Sequence, residues 1–331
     1  MLFSPDSFTC ADLTAVVNAM PWQPALLRQF FDMESIRTTS AFIDLEKSHL
    51  KLVSDSPRGA MGTPATQSSR SAKTLPAAHL VQPDTITPAD VQDVRAFGAS
   101  EPETVAARIA KKQAGLRRNI EATLEYHRIG AVKGQVLDAD GSTVLYDLFN
   151  VFGVSKPADI NLTFPTDTTG KENPVLSAVQ DAVDVIDDAL GGVPYTGIHA
   201  ICGAGFWKKL IGNAQVREAY YHWVGRQDAL GGNTFETGFT FGGVTFHKYS
   251  RTVGGNVLVA SNRAELFPVG PGIMVQAFAP ADYMETVNTD GLPFYSVMEE
   301  KDMGKGYDLE VQSNPVTFCT FPEALVGIVG A

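Results

Sequence analysis

Carboxylates crowd the stretch "GQVLDADGSTVLYDLF", Gly134 to Phe149, where Asp138-Ala139-Asp140-Gly141 could serve metal binding, acid/base chemistry or a chain reversal. A calcium loop needs oxygen ligands at alternating positions, a glycine at the sixth and a bidentate glutamate at the twelfth. Here the third acidic position is missing, the glycine comes early, and Asn150 stands near where the glutamate belongs. An Asp-Gly pair between "QVL" and "TVLYDL" supplies the positive φ of a tight turn, so the stretch is predicted to be a hairpin. Asp181, Asp184 and Asp188 share one face of a later helix, but no histidine or second acidic helix is paired with them, and they read as a solvated face. Gly203-Ala204-Gly205, between a strand and a helix, is the one nucleotide-like feature. It lacks a third glycine, since position 208 is Lys208, and no acid closes a strand about twenty residues on. Small residues there simply permit close packing.

The remaining chemistry-bearing residues are scattered. His49, His79, His127, His199, His222 and His247 stand alone, none at a metal-ligand spacing from another. Ser48 and Lys51 have the spacing of a Ser-Lys pair without its companion motifs. No Gly-x-Ser-x-Gly elbow, phosphate loop or His-Glu-x-x-His helix occurs. Cys10, Cys202 and Cys319 are too few for a disulfide framework or zinc site. No catalytic, cofactor-binding or metal-binding residue is therefore assigned, and the expected function is structural.

Composition agrees. A chain of 331 residues with 44% hydrophobic and 19% charged residues can bury a sizeable core. A formal charge of −11 opposes general affinity for nucleic acid or anionic membrane, because such binding needs clustered Lys and Arg. No apolar run is long enough to cross a bilayer. "MLFSPDSFTCADL" lacks the pattern of a secretion signal, so the expected compartment is reducing cytoplasm.

Several elements can be read from pattern. Thr9 with Asp12 caps a short helix carrying Leu13, Val16, Val17 and Met20, and Pro21 ends it. Leu26, Leu27, Phe30 and Phe31 then form a dense apolar cluster that must dock on its own domain or on a neighbouring copy. From Ser54 to about Asp90 the chain turns rich in Pro, Ser, Gly, Ala and Thr. With "HLKLV" before it and "KTLPAAHLVQ" inside it, the segment reads as a long two-stranded arm, carrying Leu50, Leu52, Leu75 and Leu80, that needs another surface for stability. Ser100 to Gly134 is predicted to be a long helix, capped by Ser100 and Glu103 and striped by Val105, Ile109, Leu116, Ile120, Leu124 and His127. Its other face carries Arg108, Lys111, Lys112, Arg117, Arg118, Arg128 and Lys133 against Glu101, Glu103, Glu121 and Glu125. That face reads as solvated or salt-bridged between subunits rather than as a nucleic-acid surface. Asn173-Pro174 opens another helix, and from Gly231 onward short strands dominate, with a hairpin at Gly242-Gly243.

In this order, the elements resemble the major capsid proteins of tailed bacteriophages, and more narrowly the lambda-like major capsid protein E family. The resemblance rests on "PALLRQFF" (Pro24 to Phe31), "SSRSAKTLPAAHLVQPDTITPADVQ" (Ser68 to Gln92), "RRNIEATLEYHRIGAVKGQVLD" (Arg117 to Asp138) and "DLEVQSNPVTFCTFPEALVGI" (Asp308 to Ile328). It implies an α+β fold of the Hong Kong 97 type. The implied parts are an N-terminal arm over 1–35, an extended loop over 36–92, a peripheral domain with the spine helix over 93–155, an axial domain over 156–290, and C-terminal strands over 291–331 returning to the peripheral domain. It implies hexamers and pentamers of an icosahedral shell that expands as double-stranded DNA is packaged. Implied partners are scaffold, portal, maturation protease and a decoration protein, with weak non-specific DNA contact. Arm and loop, costly to order in a monomer, are expected to lie across sibling subunits through Leu26, Leu27, Phe30, Phe31, Leu50, Leu52, Leu75 and Leu80. The competing readings are a nucleotide-binding enzyme built on Gly203 to Gly205, and a tail or decoration protein.

Overall fold

A computed structural model of the chain describes residues 9–22, 25–46, 70–92, 104–164, 173–214, 216–217, 238–250, 252–253 and 256–330. Its organising element is α2 (Val105–Lys133), at roughly 1.5 Å per residue about 43 Å long. Thr104 caps it by accepting from the Ala107 amide, four residues after the expected cap. The predicted Ser100 cap lies outside the described residues. Gly134, at φ 80°, ends the helix where an L side chain would be strained. The chain then reverses through β5 (Gln135–Leu137) and β6 (Val144–Asp147), an antiparallel pair. Asp140 builds this turn: it accepts from the Ser142 and Thr143 amides at 2.9 and 2.8 Å and from both hydroxyls. Those bonds hold its carboxyl well below the usual carboxylate range. The crowded acids are thus architecture.

Ahead of α2, α1 (Cys10–Ala19) is capped by Thr9 as expected, but Val16 points outward. A 3₁₀ turn (Leu27–Phe30) and β1 (Asp32–Ser35) follow, and then β2 (Ser40–Glu46) pairs with β3 (Arg70–Pro76) in a two-stranded hairpin. The expected second arm is therefore two elements. Leu80 belongs to β4 (Leu80–Ile86), a strand of a different sheet. "HLKLV" lies outside the described residues.

α3 (Leu148–Phe152), β7 (Ile160–Leu162), α4 (Pro174–Leu190), β8 (Gly197–Cys202) and α5 (Ala204–Gly212) form the α/β region. The Asn173 side chain caps α4 as predicted, and Val179, Ile186 and Leu190 are buried while Asp181, Asp184 and Asp188 are exposed. The hairpin β9 (Phe239–Phe241) and β10 (Val244–Lys248) turns at Gly242 and Gly243, both with positive φ. A short pair, β11 (Thr252–Val253) and β12 (Asn256–Val257), precedes β13 (Arg263–Val269) and β14 (Met274–Phe278). The remaining strands are β15 (Tyr295–Glu300), β16 (Tyr307–Ser313), β17 (Pro315–Cys319) and β18 (Val326–Gly330).

Three sheets line two apolar clusters, a large one and a smaller one around Val17, Ile120, Leu124, Phe294 and Val311 against which β15-β16-β4 packs. The largest sheet runs β7-β18-β13-β8-β10-β9, while β15-β16-β4 and β1-β14-β17 form three-stranded sheets. β16 and β17 lie along α2. β18, expected among the strands returning to the peripheral domain, inserts between β7 and β13 in the six-stranded sheet, where Val326 and Ile328 are buried apolar positions of a central strand.

Candidate assembly interface

The arm docks on its own subunit, and the charged face of α2 holds it there. Arg117, 2% exposed, donates through Nε to Glu121 at 2.8 Å. Its Nη1 donates to the carbonyls of Val17 and Met20, in the last turn and at the C-cap of α1. Its guanidinium lies over the Phe294 ring at 4.6 Å. Two turns on, Glu125 accepts from the Leu27 amide at 3.1 Å and the Tyr249 hydroxyl at 3.3 Å. Arg128, 1% exposed, donates to Glu125 at 3.1 Å and to Gln276 at 3.0 and 2.6 Å. Gln276 passes the chain of bonds to Thr317. Burial lowers the Arg128 pKa and the Glu125 charge opposes that effect. An arginine remains a cation in such a setting, so its carboxylate partner is structurally required.

The charged face read as solvated or intersubunit is therefore largely internal. Glu121 and Glu125 neutralise Arg117 and Arg128 inside the subunit, while Lys112 bonds Asp84 at 3.1 Å and the Thr85 carbonyl. Lys111 and Arg118 stay exposed. Spacing did place these four buried charges at complementary helical intervals; what hid their burial was the average rule that such residues face water.

The expected interface residues divide accordingly. Leu27, Phe30, Phe31 and Leu75 are buried in the subunit's own core, and Leu26 and Leu80 are half-buried against it. Phe30 packs on His199, His247 and Phe267, with ring centroids at 4.5, 5.4 and 5.6 Å. The arm cluster thus takes the intramolecular alternative, because α2 and the six-stranded sheet already supply its apolar seat. Leu50 and Leu52 lie outside the described residues.

β2 carries an exposed aromatic that was not among the expected residues. β2 alternates: Ala41 and Ile43 point inward at 4% and 6% exposure, and Phe42 points outward at 66%. The period-two pattern of "SAFIDLE" was the available signal. Met303, 89% exposed and at φ 64°, tops the β15–β16 hairpin.

The nucleotide reading gains nothing at the β8–α5 junction. Ser261 fills the space before the helix: its hydroxyl accepts from the Gly205 amide at 3.1 Å, and its carbonyl from Phe206 at 2.7 Å. A Cβ on Gly203 would lie 2.0 Å from the Ala260 carbonyl oxygen, so close packing explains that glycine. Among the described residues no cluster of potential ligands could hold a metal ion, and no helix is long and apolar enough to cross a membrane.

A spine helix, a separate two-stranded ribbon and a strand-rich body make up a fold of the Hong Kong 97 type. Residues 9–329 match the family Phage major capsid protein E, and the chain belongs to it. It is 26% identical over 347 residues to the major capsid protein of Pseudomonas phage KPP10, covering 97% of this chain and 96% of that one. The fold is similar to the crystal structure of a putative capsid protein of an E. coli CFT073 prophage, with TM-score 0.58 at 15% identity over 98% of this chain and 99% of that one. It also resembles the capsid of cyanophage P-SCSP1u, with TM-score 0.54 at 11% identity over 100% and 92% of the two chains.

Proposed function

We propose that the subunit forms the hexamers and pentamers of a closed icosahedral shell around double-stranded DNA, using the β2–β3 hairpin as its reach to the neighbouring copy. The observation that carries this is Phe42: a large aromatic, 66% exposed, on a ribbon that among the described residues pairs as two strands only. One face of the ribbon packs on the subunit's core through Ala41, Ile43 and Leu75, and a large aromatic left exposed on the other face is stabilised by a partner surface. The whole-chain family match supports the same reading.

The unit around α2, β4, β15 and β16 corresponds in this reading to the peripheral domain, and the six-stranded sheet with α4 and α5 to the axial domain. Scaffold, portal, maturation protease and a decoration protein are its proposed partners, with assembly in host cytoplasm and residence in the virion. DNA contact is weak, because −11 net charge leaves little to displace counterions. The subunit performs no chemistry in this scheme.

Electron microscopy of the expressed chain, alone and with a scaffold, tests the proposal. Closed particles with local six-fold and five-fold units are expected. Open rings or discrete trimers would refute it.

A further inference from the structure

Beneath Phe30, two imidazoles from adjacent parallel strands face one another. His199 Nδ1 and His247 Nε2 are 3.0 Å apart, and the rings stack with centroids 5.3 Å apart. The β8–β10 register, with His247 beside Ile201, puts both on the sheet face that receives the arm. His247 is 3% exposed, and its Nδ1 is enclosed with no partner. Gly238 makes that enclosure possible, since a Cβ there would lie 2.7 Å from the same nitrogen.

We propose that His199 and His247 form a proton-operated catch for the N-terminal arm: as a neutral pair they seat Phe30, and double protonation lifts the Leu27–Phe30 turn off the sheet. In the neutral pair one ring donates and the other accepts. A first proton on the more accessible His199 leaves this bond intact, because a cationic ring still donates to a neutral one. A second proton on His247 sets two N–H donors against each other in a wall made of Phe30 and Phe267. The pair consequently fills in two coupled steps, and the second one opens the catch.

The surrounding charges offer no relief. Glu265 on β13 is bonded to Arg263, and on α2 Glu125 and Arg128 are bonded to each other. Arg28 on the arm lies over Trp22 at 4.1 Å, and Lys248 on β10 is exposed. The Phe30 face could accept a cation, but tilts of 40° and 57° make that compensation partial. Burial and the His199 charge hold His247 down to about 4, and burial lowers His199 as well. Both values are depressed in the docked state, so the histidine pair binds protons more tightly once the arm has left the sheet. Docking is complete above the ordinary imidazole pKa and is lost as pH falls towards about 4.

Hydrogen exchange of the full-length chain, read by mass spectrometry and corrected for intrinsic pH effects, tests the catch whether or not shells form. Residues 26–34 are expected to exchange roughly tenfold faster at about pH 4.5 than at neutrality, while α4 keeps its protection. His247→Gln, which hydrogen-bonds without becoming charged, should abolish the rise. His199→Gln, whose amide oxygen can accept from a cationic His247, should abolish it as well, because the doubly protonated pair can no longer form. Loss of protection in the arm and α4 together, or wild-type release in either His247→Gln or His199→Gln, would each overturn the proposal.

Discussion

The arm and the hairpin adjoin in sequence, yet their apolar residues meet opposite fates. Between Leu13 and Phe31 the arm gives its large side chains to the subunit's own core and has its backbone gripped by Arg117 and Glu125. Past Ser40 the chain keeps only one face of a ribbon for itself, through Ala41, Ile43 and Leu75, and turns Phe42 to solvent. Exposure, rather than hydrophobicity, is what separates a residue that stabilises a subunit from one that joins subunits.

The sharpest test of this contrast is Phe42→Glu. Particle yield should fall by an order of magnitude or more, as for loss of an aromatic anchor. The unfolding free energy of the isolated chain should stay within about 0.5 kcal/mol of wild type in denaturant titration. A large stability loss would place Phe42 with the arm residues and erase the distinction.

Arg128→Ala should do the reverse. It strands Glu125 in the core and is expected to cost about 3–5 kcal/mol of stability, visible as a lower denaturation midpoint. Pairing Arg128→Met with Glu125→Leu should recover much of that loss, since a well-packed apolar pair can replace a buried ion pair. An unchanged midpoint in Arg128→Ala would show that the charge chain does not hold the arm.

A smaller effect tests the core beneath both regions. His127 is buried with both ring nitrogens unpartnered, and burial depresses its pKa to about 4. The unfolded chain then binds the proton more tightly. The neutral ring's stability is intact above about pH 6.5 and falls by roughly 1.4 kcal/mol per pH unit towards pH 4. His127→Leu should flatten that part of the stability profile, and an unaltered slope would assign it elsewhere.

Much of the fold could be read from pattern because local chemistry and tertiary structure agree there. Asp140-Gly141, Asn173-Pro174 and Gly242-Gly243 sit where turn and cap rules put them. Arg117, Glu121, Glu125 and Arg128 escaped for the opposite reason: their helical spacing permits salt bridges on a wet face or a dry one, and only the docked arm decides. Leu75 and Leu80 were read as one arm because three residues between two strands leave no mark in composition. The outward turn of Phe42 was legible from alternation, whereas Phe30 and Phe31 carried the same apolar signal and are buried in the subunit.

The placement of β18 sets a timetable. Among the described strands β7 pairs with β18 alone, so Ile160 waits for Ile328 before its strand joins the sheet. Pairings that distant form slowly, and the intermediates before them leave sheet edges open. On the ribosome, the large sheet cannot close until residues 326–330 emerge, which keeps half-made chains from entering a growing lattice with a finished body.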